Sequence, residues 1–153
     1  MNIPEDLAEL IRPAGDEQEF DQAFPLVTVD AAGYPHVALL AAAQLGVDDA
    51  AALILASVAG ANTRRNLERD RRATLLAVDG MALHVAKLDV VTDVEVPDRA
   101  GFALRLESHK RDSAGTALHP MLFARSTELV AAERWDTDAL VLDRLRNMLR
   151  ETE

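Results

Sequence analysis

The stretch FPLVTVDAAGYPHVALLAAAQL (24–45) has the pattern of a β-hairpin. Its first part, FPLVTVD (24–30), predicts one strand, and YPHVALLAAAQL (34–45) predicts a second. Between them lies AAG, in which Gly33 can adopt the positive φ that a tight turn requires. The hairpin indicates that an antiparallel sheet is the basis of the fold.

More strands than helices are predicted around this hairpin. A turn, GVDDAA (46–51), precedes a short buried strand, and the strand at 82–96 is long enough that we expect it to bend. GFALRLES alternates with a period of two, which places Phe102, Leu104 and Leu106 on one face. HKRDSAGTALHP (109–120) has the composition of a polar loop. The predicted strands after the hairpin are 52–57, 73–79, 82–96, 101–108 and 121–126.

Three helices are expected, at residues 4–11, 62–70 and 136–151. In the last of these, Thr137 or Asp138 is the expected cap. Its apolar stripe is predicted to consist of Leu140, Leu142, Leu145, Met148 and Leu149. Strands and helices do not alternate regularly, which disfavours a doubly wound parallel sheet. The pattern predicts a mainly β (α+β) fold, a closed or partly closed antiparallel barrel with appended helices, in a single domain over residues 1–153.

Composition excludes several classes of function. The net charge of −10 argues against a nucleic-acid partner, because phosphate neutralisation dominates that binding. The chain has no cysteine, and its four histidines show no metal-ligand spacing, so neither a disulfide scaffold nor a metal site is expected. We find no signal-type segment and no apolar run long enough to span a membrane, which favours the cytoplasm. One local basic cluster on an acidic chain favours a small anionic ligand instead of nucleic acid.

A cluster of arginines interrupts this acidic chain in GANTRRNLERDRRATLL (60–76), where five of the 16 basic residues lie between positions 64 and 72. Asn62 and Thr63 are good N-caps, so Arg64 and Arg65 are expected in the first turn of a helix. Cations there cost roughly 0.3–1 kcal/mol each, unless an anion binds the free N–H groups and the guanidinium groups. Ser57 and the small residues after it would allow close approach.

The alternative is a solvated helix whose arginines pair with Glu68 and Asp70. Under either interpretation, Arg69, Arg71 and Arg72 are expected to be surface charges near the helix end.

The segments TVDAAGYPHVALL, AAAQLGVDDAALILAS and NTRRNLERDRRATLLAVD occur in an order and at a spacing similar to those of a known family. Over residues 24–80 the chain resembles the FMN-binding split-barrel group related to pyridoxamine 5′-phosphate oxidase. The resemblance implies an antiparallel split β-barrel with short N-terminal, mid-chain and C-terminal helices. It also implies a flavin cofactor, FMN or a deazaflavin, bound at the interface of a homodimer.

The same resemblance implies candidate binding residues. The strand after the turn would contact the flavin ring, through Ala38, Leu39, Leu40, Ala41 and Ala43. The segment leading into the mid-chain helix would hold the phosphate, through Ser57, Asn62, Thr63, Arg64 and Arg65. His84 and Lys87 could approach the ring or a substrate from the partner subunit, or else be a partly buried strand residue and a solvent-facing charge.

The chain departs from this family at two places. Asn62 and Thr63 stand where the oxidases have an Arg-Lys pair. The C-terminal segment has Glu133 and Trp135 but no following histidine, so oxidation of vitamin B6 is not expected.

No catalytic side chain is predicted, because a bound flavin would carry the chemistry itself. Three hypotheses therefore stay open: an FMN-dependent oxidoreductase acting on an unidentified small substrate, a flavin-binding module with little turnover, and a flavin-free dimeric scaffold.

Overall fold

The computed structural model describes residues 1–12, 20–124 and 135–151, with the side chains of Phe20 and Trp135 excepted. Over these ranges the chain forms three α-helices and nine strands. The helices are α1 (Glu5–Ile11), α2 (Ala61–Asp70) and α3 (Trp135–Glu151). The strands are β1 (Phe20–Gln22), β2 (Phe24–Val29), β3 (Pro35–Leu40), β4 (Leu45–Asp48), β5 (Leu53–Val58), β6 (Arg72–Asp79), β7 (Ala82–Val96), β8 (Arg99–Ser113) and β9 (Leu122–Ala124).

Seven of the strands form one antiparallel sheet in the order β3-β2-β6-β7-β8-β5-β4, which curls into a half-barrel. The hairpin of β2 and β3 is present, and Gly33 in its turn has a φ of +90°. Strands β1 and β9 form a separate two-stranded ladder. The predicted mainly β fold, an antiparallel split barrel with short helices, is confirmed. None of the helices in the described ranges is long and apolar enough to cross a membrane.

The core fills the concave side of the sheet, where Phe24, Leu26, Phe102 and Leu104 are buried together with Leu7 of α1. Strand β5 is buried along its whole length, because α3 covers its other face. The predicted stripe of α3 is confirmed for some residues and wrong for others. Leu142 and Leu145 are buried, but Leu140 is 69% exposed and Val141 takes its place. Successive residues of an α-helix are rotated by about 100° around its axis, so neighbouring positions can differ between the core and solvent.

The predicted second strand of the hairpin stops early. It ends at Leu40, and a 3₁₀ turn follows at Ala42–Gln44. The side chain of Gln44 accepts a hydrogen bond from the backbone N–H of Ala41 at 2.9 Å. Gly46 and Val47 were predicted in a turn but lie in β4. This alanine-rich segment carries the chain from one edge of the sheet to the other, because β3 and β4 are the two edge strands.

Strand β7 bends as expected, with register shifts at Lys87/Leu88 and at Val90/Thr92. Strand β8 continues past the first shift in regular register with β7, so residues 109–113, predicted as part of a polar loop, are strand. His109 pairs with Ala86, and Arg111 pairs with His84. Directly opposed residues share a face of the sheet. The shift therefore turns His109 and Arg111 towards the buried side on which His84 lies.

Candidate cofactor site

Helix α2 begins without a side-chain cap. Its N-cap is Gly60, and the first intrahelical bond runs from the Arg64 N–H to the Gly60 carbonyl at 3.0 Å. The expectation that Asn62 or Thr63 caps the helix is therefore wrong, because both residues lie inside the first turn. A helix leaves its first N–H groups without intrahelical partners, so this end of α2 presents positive dipoles.

Arg64 and Arg65 follow directly after this turn. The Nε of Arg64 is buried and has no hydrogen-bond partner among the described residues. Arg65 donates to the side chain of Asn62. In the described part of the chain neither Arg64 nor Glu68 forms an ion pair, so of the salt bridges in the alternative interpretation only the one between Arg69 and Asp70 is made there. The arrangement fits an anion better than it fits a neutralised surface helix.

An open groove of about 910 Å³ lies where β2, β6 and β7 meet the C-terminal end of α2. Apolar and small residues of the strands line it, among them Val27, Val29, Ala73, Thr74 and Leu88. Its charged residues are three cations and three acids, Arg69, Arg72, Lys87, Asp70, Asp89 and Glu107. The groove thus combines an apolar wall with a charged rim.

All three acids of this groove have cationic partners. Asp70 pairs with Arg69 at 2.9 Å, and its pKa is lowered by that hydrogen bond and, to a smaller extent, by the charges of Arg69 and Arg72. Asp89 and Glu107 each lie 3.7 Å from Arg105. Arg72 and Lys87, in contrast, make no ion pair with any residue that the structure describes. With Arg105 included, four cations stand against three acids, and this excess of one positive charge favours an anionic ligand.

A smaller cavity of about 430 Å³ lies between the hairpin turn and α2. It is lined by Asp30, His36, Asn62, Arg65 and Arg69, with Ala31, Ala32 and Asn66 completing it. Arg69 lines both cavities, so the two adjoin there. The structure therefore brings three predicted residues, Asn62, Arg65 and Lys87, to one connected depression.

Arg69 and Arg72 belong to this depression although the sequence analysis treated them as surface charges. Arg69 is held by Asp70 and by the carbonyl of Val29, and Arg71 lies 3.6 Å from Asp93, so these two are paired as expected. Arg72 is the residue that sequence reasoning missed. Its position could have indicated this, because Arg72 begins a strand that pairs with the strand of Lys87.

None of the other predicted residues lines either cavity. Ala38, Leu39 and Leu40 lie on the edge strand β3, where Leu40 is buried, and Ala41 and Ala43 belong to the segment around the 3₁₀ turn. Thr63 is buried, and Arg64 lies beside the depression without lining it. Ser57 is fully buried, and its hydroxyl donates to Asp138 Oδ1 at 2.6 Å.

The Asp138 contact also corrects the expected start of the last helix. Helix α3 begins at Trp135, so neither Thr137 nor Asp138 caps it. Asp138 is instead buried in its first turn and accepts hydrogen bonds from Arg99 and Ser57.

His84 lies away from both cavities, inside a polar cluster. Its Nε2 is 2.8 Å from Asp79 Oδ2, and its Nδ1 is 2.7 Å from Nε2 of His109. Hydrogen bonds from His84 and Arg111 lower the pKa of Asp79, while burial and the charge of His84 lower the pKa of His109. His84 is thus the buried strand residue of the second interpretation, and His109 has a partner that the sequence did not reveal.

Comparison with known proteins identifies the family. A family model described as pyridoxamine 5′-phosphate oxidase matches residues 16–138. No curated protein sequence matches the chain.

Three solved structures have a similar fold. The styrene monooxygenase flavin reductase of Pseudomonas putida S12 has a TM-score of 0.52 and 14% identity, over 68% of this chain and 86% of that chain. HupZ of Group A Streptococcus has a TM-score of 0.54 and 16% identity, over 76% and 99% of the two chains. A conserved hypothetical protein of Mycobacterium tuberculosis has a TM-score of 0.51 and 18% identity, over 83% and 95%. At such low sequence identities, the similarity to these structures shows the fold alone. The family model matches more than half of the sequence and therefore shows the family. The chain therefore belongs to the pyridoxamine 5′-phosphate oxidase family, whose flavin-related split barrel is the fold described above.

Proposed function

We propose that the chain binds FMN, or a deazaflavin, in the two adjoining cavities and acts as an oxidoreductase on a small substrate. One observation carries the proposal: Arg72 and Lys87 face the larger groove without ionic partners among the described residues, while every acid of that groove is paired. A flavin has an apolar ring system and an anionic tail, and the depression offers a surface for each.

The dimensions and chemistry of the depression suit such a ligand. Ligand pockets commonly have volumes of about 300–1,000 Å³ and combine apolar walls with a few polar groups. The groove of about 910 Å³ supplies strand residues such as Val27 and Leu88. The smaller cavity supplies Asn62 and Arg65, next to the uncapped start of α2.

The chain's own residues would bind and orient the cofactor. Lys87 and Arg72 would offset negative charge, and Arg69 is already held in place by Asp70 and the Val29 carbonyl, so it would lose little freedom on binding. Asn66 donates to Thr28 Oγ1 at 3.0 Å, which fixes α2 on β2 and with it Arg65 and Arg69. A bound flavin would supply hydride or electron transfer.

The proposal includes a homodimer. On the outward face of β2 and β3, the cross-strand pairs Pro25–Leu39, Val27–Val37 and Val29–Pro35 are all apolar. Val29, Val37 and Leu39 are 46%, 54% and 44% exposed. Val27 and Val29 also line the larger groove, so this face and the groove are continuous. A second copy on this face would bury the apolar pairs and shield the cofactor from water.

Charge-removal variants test the binding site. Each charge-assisted hydrogen bond is worth roughly 1.5–3 kcal/mol, so Arg72→Gln and Lys87→Gln should each weaken FMN binding about tenfold or more. Quenching of flavin fluorescence during a titration would measure this. Lys110→Gln is the matched control, because Lys110 is 75% exposed and pairs with Asp112 outside the depression.

Unchanged FMN affinity in both Arg72→Gln and Lys87→Gln would overturn the proposed site. Binding and turnover are separate readouts. A chain that binds FMN but passes no electrons from NADH or NADPH to any acceptor tried would be a flavin-binding module, contrary to the oxidoreductase half of the proposal.

A further inference from the structure

Beneath α1 lies a cluster of charged and ring side chains that takes no part in the proposed cofactor site. Asp6 comes from α1, Asp79 from the end of β6, His84 from β7, and His109 and Arg111 from β8. None of them lines either cavity described above. The spacing of the histidines along the chain predicts no metal site. The sheet nevertheless places His84 and His109 side by side, with ring centroids 5.0 Å apart.

Three atoms in this cluster converge on one point. Oδ2 of Asp79 lies 2.8 Å from Nε2 of His84, Oδ2 of Asp6 lies 3.9 Å from the same nitrogen, and all three ligand atoms are within 4.8 Å of one another. One imidazole and two carboxylates form a donor set that zinc and other divalent first-row metals accept. We propose that Asp6, Asp79 and His84 bind a divalent transition-metal ion of the zinc class.

The surroundings of His84 support this assignment. The side chain is fully buried, and its nitrogen away from the carboxylates is occupied by His109 at 2.7 Å. An ion would replace the proton that Nε2 shares with Asp79, and Nδ1 would then donate its N–H to His109 Nε2, as metal-bound histidines usually donate from the second ring nitrogen. His84 Nε2 therefore already points at the two carboxylates before any ion arrives.

Arg111 occupies the position of a competitor. Its Nε lies 3.3 Å from Asp79 Oδ2 and 3.7 Å from Asp6 Oδ2, the same two oxygens that would hold the ion. At these oxygens a single guanidinium lies against two carboxylates. Arg111 is about half exposed, so its side chain can turn to solvent when a divalent ion replaces it. Metal binding and the Arg111 contacts are thus mutually exclusive.

The role that follows is structural. An ion held by Asp6, Asp79 and His84 would join α1 to β6 and β7, and so hold the helix that packs Leu7 and Ile11 into the barrel core. Zinc should therefore raise the melting temperature of the wild-type chain by acting on the folded state alone.

Calorimetric titration of the full, tag-free chain with Zn²⁺ tests the proposal. The wild-type chain should bind one ion, and Asp6→Asn and Asp79→Asn should each weaken binding at least tenfold and abolish the zinc-dependent rise in melting temperature. Arg111→Gln should strengthen binding, because it removes the competing cation. Asp49→Asn is the matched control, since this aspartate is 76% exposed and pairs with Arg12 elsewhere.

Asp6 is half exposed on the first turn of α1, so Asp6→Asn should fold even if a substitution at the buried His84 does not. No binding at submillimolar zinc, equal affinity in wild type and Asp6→Asn, or weaker binding in Arg111→Gln would each overturn the proposal. None of these outcomes bears on FMN binding, which uses other residues.

Discussion

In the folded chain the Arg72 side chain is accessible to a ligand, and the Ser57 side chain is not. The Ser57 hydroxyl is fully buried and bonded to Asp138, which Arg99 also contacts. Arg72 begins strand β6 at the rim of the groove, without an ionic partner in the described part of the chain. Ser57 therefore helps to attach α3, and we propose Arg72 as a ligand-binding residue, the reverse of what their positions in the sequence indicate.

Ser57→Ala should lower the free energy of unfolding by about 1–3 kcal/mol, because it removes one hydrogen bond from a buried carboxylate. FMN affinity should stay the same. Urea denaturation and the flavin titration measure the two quantities, with the exposed Ser108→Ala as a control. A variant of normal stability with tenfold weaker FMN binding would return Ser57 to the phosphate site.

Strand β8 shows where the sequence pattern stops being informative. Its period-two alternation predicts the burial of Phe102, Leu104 and Leu106, and the structure confirms all three. The bulge opposite Lys87/Leu88 then changes the parity, so the buried side from there on carries His109 and Arg111. A bulge depends on the register between two strands, so it cannot be predicted from residues 109–113 alone. The side chains around the proposed metal site come from α1, β6, β7 and β8. For the same reason, their meeting could not be predicted from the sequence.

Helix α3 packs closely on β8 because residue 101 is a glycine. A Cβ there would lie 2.6 Å from Val141 Cγ1 and 2.8 Å from Leu145 Cδ1. Gly101→Ala should therefore destabilise the fold by about 1–3 kcal/mol through overpacking.

The double variant Gly101→Ala/Val141→Ala should lose less free energy of unfolding than the sum of the two single variants, because truncation of Val141 relieves the closest contact. Chemical denaturation of the four proteins completes this cycle. Strict additivity would mean that the two sites do not meet.

At the level of the whole molecule, the resemblance over residues 24–80 and the order of the elements were sufficient to predict the family and the half-barrel. The lining of the proposed cofactor site was only partly predictable. Asn62, Arg65 and Lys87 meet in the depression, but Ala38 to Ala43 and His84 do not. The groove depends on the order of strands in the sheet, which places β2, β6 and β7 side by side, and on the position of α2 beside them.

The apolar outward face of β2 and β3 is where we expect a second copy of the chain. Val37→Lys should leave the fold intact, since the side chain is already 54% exposed, but convert a dimer into a monomer with weaker FMN binding. Sedimentation velocity measures the change. Met81→Lys, at an exposed residue on the turn before β7, is the control. A wild-type monomer, or a Val37→Lys dimer, would contradict the proposed interface.

The most direct measurement is the absorption and fluorescence spectrum of the purified protein after incubation with FMN or a deazaflavin and removal of the free ligand. Our account predicts that flavin stays with the protein, with quenched fluorescence and one flavin per chain, and that Arg72→Gln/Lys87→Gln releases it. A folded wild-type protein that retains neither cofactor would contradict the central claim that the groove beside α2 is a flavin site.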